Sequence, residues 1–225
     1  MTGQALETTR KRQGVSQVEA AKLLGVSQSM LSHMETGKRK VSGEVARRAV
    51  RLLRADATAL PLSTAERHSE DDLSRELGTL GYPGFAHLVG SLRNPGEVLF
   101  DALDRSDLDV RTSEGLPWLV LEYPHLDWTW LLRELKLRNR QNRLGFVVSL
   151  AADVARRRKR NDVVQRLERE LRELEDARLA KEDTLCQESW TPSRKKHVRR
   201  VRSRLAAHWN LDTRLSQEDL AHYAE

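Results

Sequence analysis

Gln28, Ser29, Ser32 and His33 fall within the six residues Gln-Ser-Met-Leu-Ser-His. At 3.6 residues per turn these four share one face of a helix, while Leu31 and Met34 turn to the other and Met30 sits at the border. The polar face holds an amide, two hydroxyls and an imidazole, and no acid. A helix face that only meets water more often carries Glu and Lys. Side chains this short can approach the edges of bases in a major groove, where Gln can bond adenine through N6 and N7. Just downstream, Gly37 is followed by Lys38, Arg39 and Lys40. Three cations in a loop beside such a helix suit contacts with phosphates, which position a protein on a duplex without reading its sequence.

Other chemistry is not written in the chain. There is no phosphate-binding P-loop, no dinucleotide fingerprint, no nucleophile elbow and no HExxH. The seven histidines, at 33, 68, 87, 125, 197, 208 and 222, are scattered. His125 and Asp127 stand close together, but with no Cys or His pair nearby a metal site is not expected. Cys186 is the only cysteine, so no internal disulfide can form. The expectation is a binding protein and not an enzyme, with no catalytic residue, no metal and no cofactor.

The elements that must carry the polar face are marked by a repeat. Gly-Val-Ser-Gln occurs at 14–17 and again at 25–28. Each copy reads as a helix boundary: Gly suits the left-handed residue that closes one helix, and Ser is a favoured N-cap for the next. Ser16 and Glu19 form an S-x-x-E capping box. One helix is therefore predicted over 17–24 and another over 28–35, with only Gly25, Val26 and Ser27 between them, which is helix-turn-helix geometry. Ala20, Ala21 and Leu24 face inward from the first. Ser42 caps a further helix over about 44–54, with Val45, Ala49, Leu52 and Leu53 inward and Arg47, Arg48, Arg51 and Arg54 outward.

Residues 6–54, through T-T-R-K-R-Q-G-V-S-Q-x-E-A-A-K-L-L-G-V-S-Q-S-M-L-S-H-M-E-T-G-K-R-K, resemble the Cro/C1-type (XRE) helix-turn-helix domain of phage and bacterial repressors. The resemblance implies a bundle of four or five helices, with helix 28–35 entering the major groove of double-stranded DNA. It implies that Gln17, at a helix N-terminus, touches a phosphate, and that Arg10 pairs with Glu35 to lock the fold. It implies a homodimer on a near-palindromic operator, acting as a repressor. Ala20 departs from the pattern, standing where the family has a larger aliphatic; a looser small core, supported by the rest of the chain, is the expected consequence.

Charge divides the chain in the same sense. Residues 1–54 hold 11 Lys or Arg against 4 Asp or Glu, residues 55–155 hold 10 against 16, and residues 156–225 hold 18 against 13. A compact basic head is the electrostatic footprint of a nucleic-acid binder. No apolar run approaches membrane-spanning length and no secretory signal opens the chain, so a cytoplasmic protein without membrane contact is expected.

The whole is predicted to be all-α: a helix-turn-helix domain at 1–54, a linker at 55–68, an acidic helical domain at 69–155 and a charged helical region at 156–225 for dimerisation or partner binding. Helices are expected from Ser69 to Gly78 or Gly81, from Asn94-Pro95 to about Leu103, from Asp107 to Leu121 with a break at Pro117, and from Asp127 onward. A buried helix comes next, over N-R-L-G-F-V-V-S-L-A-A-D-V-A. Trp118, Trp128, Trp130, Leu131, Leu135, Phe146 and Val147 are the expected core. Val163, Leu167, Leu171 and Leu174 recur at helical spacing, as for a long charged hairpin. A basic stretch over 194–204, with Val198, Val201 and Leu205 in register, reads as an amphipathic helix fit for DNA backbone, an acidic partner or plain solvation. The stretches L-P-W-L-V-L-E-Y-P-x-L-D-W-T-W-L and Q-N-R-L-G-F-V-V-S-L-A resemble helical portions of regulators encoded beside nucleotidyltransferase-type toxins, the AbiE-like systems. That resemblance implies an alternative: an antitoxin that binds a protein toxin while repressing its own operon.

Overall fold

The computed structural model describes residues 1–62 and 69–220. The fold is all-α: twelve α-helices, with a two-residue parallel pairing of Asp183–Thr184 (β1) and Leu211–Asp212 (β2) as the one sheet among the described residues. No helix among them is long and apolar enough to cross a membrane. The chain forms two compact units, Met1–Ser63 with Leu92–Asn94, and Thr64–Ser91 with Pro95–Glu225.

The first unit is built from α1 (Gly3–Arg12), α2 (Gln17–Leu24), α3 (Gln28–Glu35) and α4 (Gly43–Leu53). Four hydroxyl N-caps start them. Thr2, Ser16, Ser27 and Ser42 accept from the backbone N–H of Ala5, Glu19, Met30 and Val45. The two Gly-Val-Ser-Gln copies do the same work. Gly14 and Gly25 both adopt positive φ, at 65° and 69°. Behind each, the Gly N–H reaches three residues back and the Val N–H five, to Lys11 and Arg10 in the first copy and to Lys22 and Ala21 in the second. That pair of hydrogen bonds is the Schellman closure, which satisfies two orphan carbonyls at each helix end. The repeat therefore stops one helix and starts the next, twice.

Leu6, Ala20, Ala21, Leu24, Leu31, Met34, Val45, Ala49 and Leu53 make the core of this unit. Ala20 is fully buried. Leu52, expected inside, is 52% exposed, and Ala46 takes the inward place instead; at 100° per residue the α4 stripe runs through 45, 46, 49 and 53. The segment expected as linker from residue 55 is packed at its start. A single 3-10 turn spans Ala57–Ala59, and Ala55, Ala57 and Leu60 are buried. The Asn94 amide donates to the carbonyls of Thr58 and Leu60, at 2.9 and 2.7 Å. Residues 63–68, the remainder of that expected linker, lie outside the described residues.

The second unit is organised around α9 (Gln141–Arg157), whose run of apolar residues leaves it buried nearly all round. Against it pack α7 (Val110–Glu122), α8 (Trp128–Leu137) and α10 (Asn161–Asp176), while α5 (Glu70–Leu80) and α6 (Pro95–Asp104) pack on α7, and α6 also on α8. Ser69 and Asp72 form a capping box at α5, and Asp127 caps α8 through Trp130 N–H. Three expectations need correction. α7 begins at Val110 because Asp109 accepts from Arg111 and Thr112 N–H, while Asp107 instead accepts from Ser189. The helix also runs through Pro117 without a break. Trp128 and Trp130 are only half-buried, whereas Trp118, Leu131, Leu135, Phe146 and Val147 are buried.

α9 and α10 form the charged hairpin, so residue 155 falls inside a helix and not at a boundary. The chain beyond α10 is tied back to α9 by two buried side chains. Arg143 is fully buried. Its five N–H groups are all used: two on Asp183 at 2.8 and 3.0 Å, one on Glu188 at 2.8 Å, and two on the carbonyls of Leu103 and Arg105. Such saturation is what makes a buried guanidinium tolerable. Trp209, also fully buried, donates its indole N–H to Ser149 Oγ at 2.9 Å. Its ring lies on Gly145, one turn before Ser149; a Cβ there would come within 2.3 Å of the indole. The basic stretch at 194–204 is split into α11 (Pro192–Val201) and the short α12 (Arg204–His208), with Ser203 capping the second. Val198 is buried, but Val201 is 59% exposed, so one continuous amphipathic helix does not form.

Candidate nucleic-acid interface

α2 and α3 have the bounds that the repeat predicts, and Gly25, Val26 and Ser27 alone join them. Leu31 and Met34 anchor α3 in the core, which fixes its rotation. That rotation leaves Gln28, Ser29 and His33 exposed and Ser32 half-exposed, on one face, and no acidic side chain stands among them. The surface is thus a short row of polar donors and acceptors, the kind of group that can bond base edges.

Beyond α3, Thr36 Oγ1 donates to Ser32 O at 2.8 Å, and Gly37 turns the chain with φ at 75°. Arg39 N–H then bonds His33 O at 2.9 Å and folds the loop back against the helix. Lys38, Arg39 and Lys40 are exposed along it, and their side chains make no ion pair within the described residues. A loop held in this way carries three uncompensated cations next to the polar face.

The last residue of α3 holds the arrangement together. Glu35, itself buried, receives Arg10 in a two-pronged contact, Nε to Oε1 at 2.7 Å and Nη2 to Oε2 at 3.0 Å. Arg10 Nη1 also donates to Val15 O at 3.1 Å. Gln17 Nε2 adds a third bond to Glu35 Oε2 at 3.0 Å. One carboxylate therefore joins α1, α2 and α3. Burial pushes the Glu35 carboxyl up, but the hydrogen bonds from Arg10 and Gln17 more than offset this and hold it below the usual carboxylate range. One of the two N–H groups of the Gln17 amide is used in this contact. The other, and the backbone N–H at the first position of α2, are left to meet an anion.

Arg48 is a positioning residue that the sequence pattern places outward on α4. Its Nη1 donates to Leu24 O at 2.9 Å, on the last carbonyl of α2, and its Nη2 to Glu44 at 2.6 Å. The turn needs glycine for its positive φ, and a Cβ on Gly25 would displace the Arg48 guanidinium, 2.1 Å away, from the Leu24 carbonyl. No local pattern could reveal this, because the contact spans 24 residues.

Residues 3–62 match a family described as a helix-turn-helix domain. No curated protein and no solved structure matches the chain. The N-terminal unit is a helix-turn-helix domain, the fold of DNA-binding regulators.

Proposed function

We propose that this protein is a sequence-specific transcriptional regulator of the Cro/C1 type, a homodimeric autorepressor whose α3 reads a near-palindromic operator. The observation that carries the proposal is the acid-free face of Gln28, Ser29, Ser32 and His33, presented by a helix whose rotation is locked by Leu31, Met34 and Glu35. These four side chains take the base edges; Lys38, Arg39 and Lys40 take phosphates, with the N-terminus of α2 at Gln17. Binding, and not catalysis, is the function in this reading, and no cofactor enters it. The test is equilibrium binding to the DNA upstream of its own gene, against random duplex of equal length, at two salt concentrations. A preference of about 10³ or more that persists at the higher salt supports the proposal. Equal binding that collapses with salt contradicts it.

The antitoxin reading has less to rest on. Leu116, Leu119, Leu144, Phe146, Val147 and Val148, within the stretches that carry the toxin–antitoxin resemblance, are buried in the second unit and make its core. A toxin would have to be recognised by other residues. Co-purification with the product of an adjacent gene is the observation that would bring this function in beside repression.

A further inference from the structure

The second unit carries two open hollows that share a side chain. One, of about 460 Å³, is lined chiefly by Arg138, Arg140, Lys181 and Lys195, with Asp183 and Glu188 as its acids. The other, of about 560 Å³, is lined by Pro192, Lys195, Lys196, Arg199 and Arg200 and contains no acid. Lys195 belongs to both, so they form one strip that runs onto α11.

The two carboxylates do not neutralise it. Asp183 and Glu188 each accept from Arg140, and each also accepts from Arg143, a buried cation that lines neither hollow. Several of the strip's cations are fixed in place. Lys195 Nζ donates to Glu188 O at 2.8 Å, and Arg199 is clamped on the buried Asp212. Three others, Lys181, Lys196 and Arg200, are exposed and form no hydrogen bond or ion pair within the described residues. Leu179 and Pro192 are the apolar residues of the lining, and the rest of its apolar surface is the stems of lysines and arginines. A protein partner would need an apolar anchor at the centre of its interface; a sugar–phosphate backbone needs only a row of cations.

We infer that this strip is a second nucleic-acid contact, which grips backbone phosphates without reading bases. It stands on the second unit alone and does not depend on α3 being the reading helix. Lys181, Lys196 and Arg200 supply the phosphate contacts, and Lys195, held by a backbone carbonyl and paired with no carboxylate among the described residues, keeps the potential positive between them; Arg199 is balanced by Asp212 and adds no net charge.

The experiment uses the full chain with Lys181→Glu, Lys196→Glu and Arg200→Glu combined, and measures affinity for a random-sequence duplex over a series of salt concentrations. These side chains support no internal contact, so a melting curve equal to that of the wild type is expected. The expected result is at least a tenfold loss of affinity at low salt, with the log–log salt slope shallower by about 0.9 for each lost phosphate contact, or about 2.7 for three. The combined Lys181→Arg, Lys196→Arg and Arg200→Lys variant should bind as the wild type does. An unchanged slope and affinity in the charge-reversed protein would overturn the inference. So would a loss confined to an acidic polypeptide such as poly-glutamate, which would make the strip a protein-binding surface. The α3 reading fails separately, through an unaltered sequence preference in Gln28→Ala, and neither failure entails the other.

Discussion

Glu35 is the residue that holds α3 to α1 and α2. Removing its partner leaves a buried carboxylate uncompensated, and breaking a buried pair in this way costs about 3 kcal/mol or more. Arg10→Ala should therefore lower the melting temperature of the first unit clearly, while Lys38→Ala, in the exposed loop, should leave it unchanged. The carboxyl's folded-state pKa is depressed, so its stabilising contribution is complete above the unfolded value and is lost as pH falls through the folded one. Acid titration followed by circular dichroism should show the wild type losing stability below about pH 4, and Glu35→Gln losing less over that window. On the DNA side, Gln28→Ala should cost about 1–3 kcal/mol at one base position and relax preference there, whereas Lys38→Ala should weaken binding to all sequences alike. Competition binding on single-base operator variants separates the two. Cys186 belongs to this scale as well. Burial pushes its thiol up to about 11, and Arg143 only partly opposes that. It should resist alkylation at neutral pH until the chain unfolds.

Among elements, the Gly-Val-Ser-Gln repeat is the most legible feature, because every bond it makes is local. Gly closes, Ser caps, and helix bounds follow to the residue. The same holds at Ser69 and Asp127, whose side chains accept from the backbone N–H groups three residues on, at Asp72 and Trp130. Legibility fails where the partner is distant. Arg48 is readable only as one of three arginines on α4, since its acceptor is a carbonyl on α2. Arg143 ends the polar run from Arg138 and so reads as a surface residue, and its partners Asp183 and Glu188 come 40 and 45 residues later. Trp209 stands among Leu205, Ala206, Ala207 and Leu211, but nothing local marks Ser149, 60 residues earlier, as its partner. Its seat on α9 yields a prediction: Gly145→Ala drives a methyl into the indole and should cost about 1–3 kcal/mol as overpacking. Loss of near-ultraviolet tryptophan ellipticity at a temperature where the wild type retains it would report the displaced ring. An unchanged signal and melting point would mean that α9 and Trp209 can separate freely.

At the scale of the whole molecule, helix caps and periodicity foretell an all-α chain, and the charge count foretells its basic head. It does not foretell how the tail is organised. Charge changes at residue 156, but packing does not, because α10 completes a hairpin with α9 and the tail is stapled to that helix by Asp183 and Trp209. A charge shift marks what a surface meets, not where a core ends. Two copies of the chain are expected on each operator. Sedimentation of the complex on a single operator duplex should give a 2:1 mass, and half-sites should be centred one helical turn apart, about 34 Å.

The central claim is that α3 reads sequence. Selection from a pool of random duplexes by the full chain, at a salt concentration that suppresses backbone-only binding, tests it without knowledge of the operator. The predicted result is enrichment of one near-palindromic motif, bound about 10³-fold more tightly than the starting pool. Recovery of an unenriched pool would show that the protein holds DNA by charge alone, and would contradict the assignment of Gln28, Ser29, Ser32 and His33 as base-reading residues.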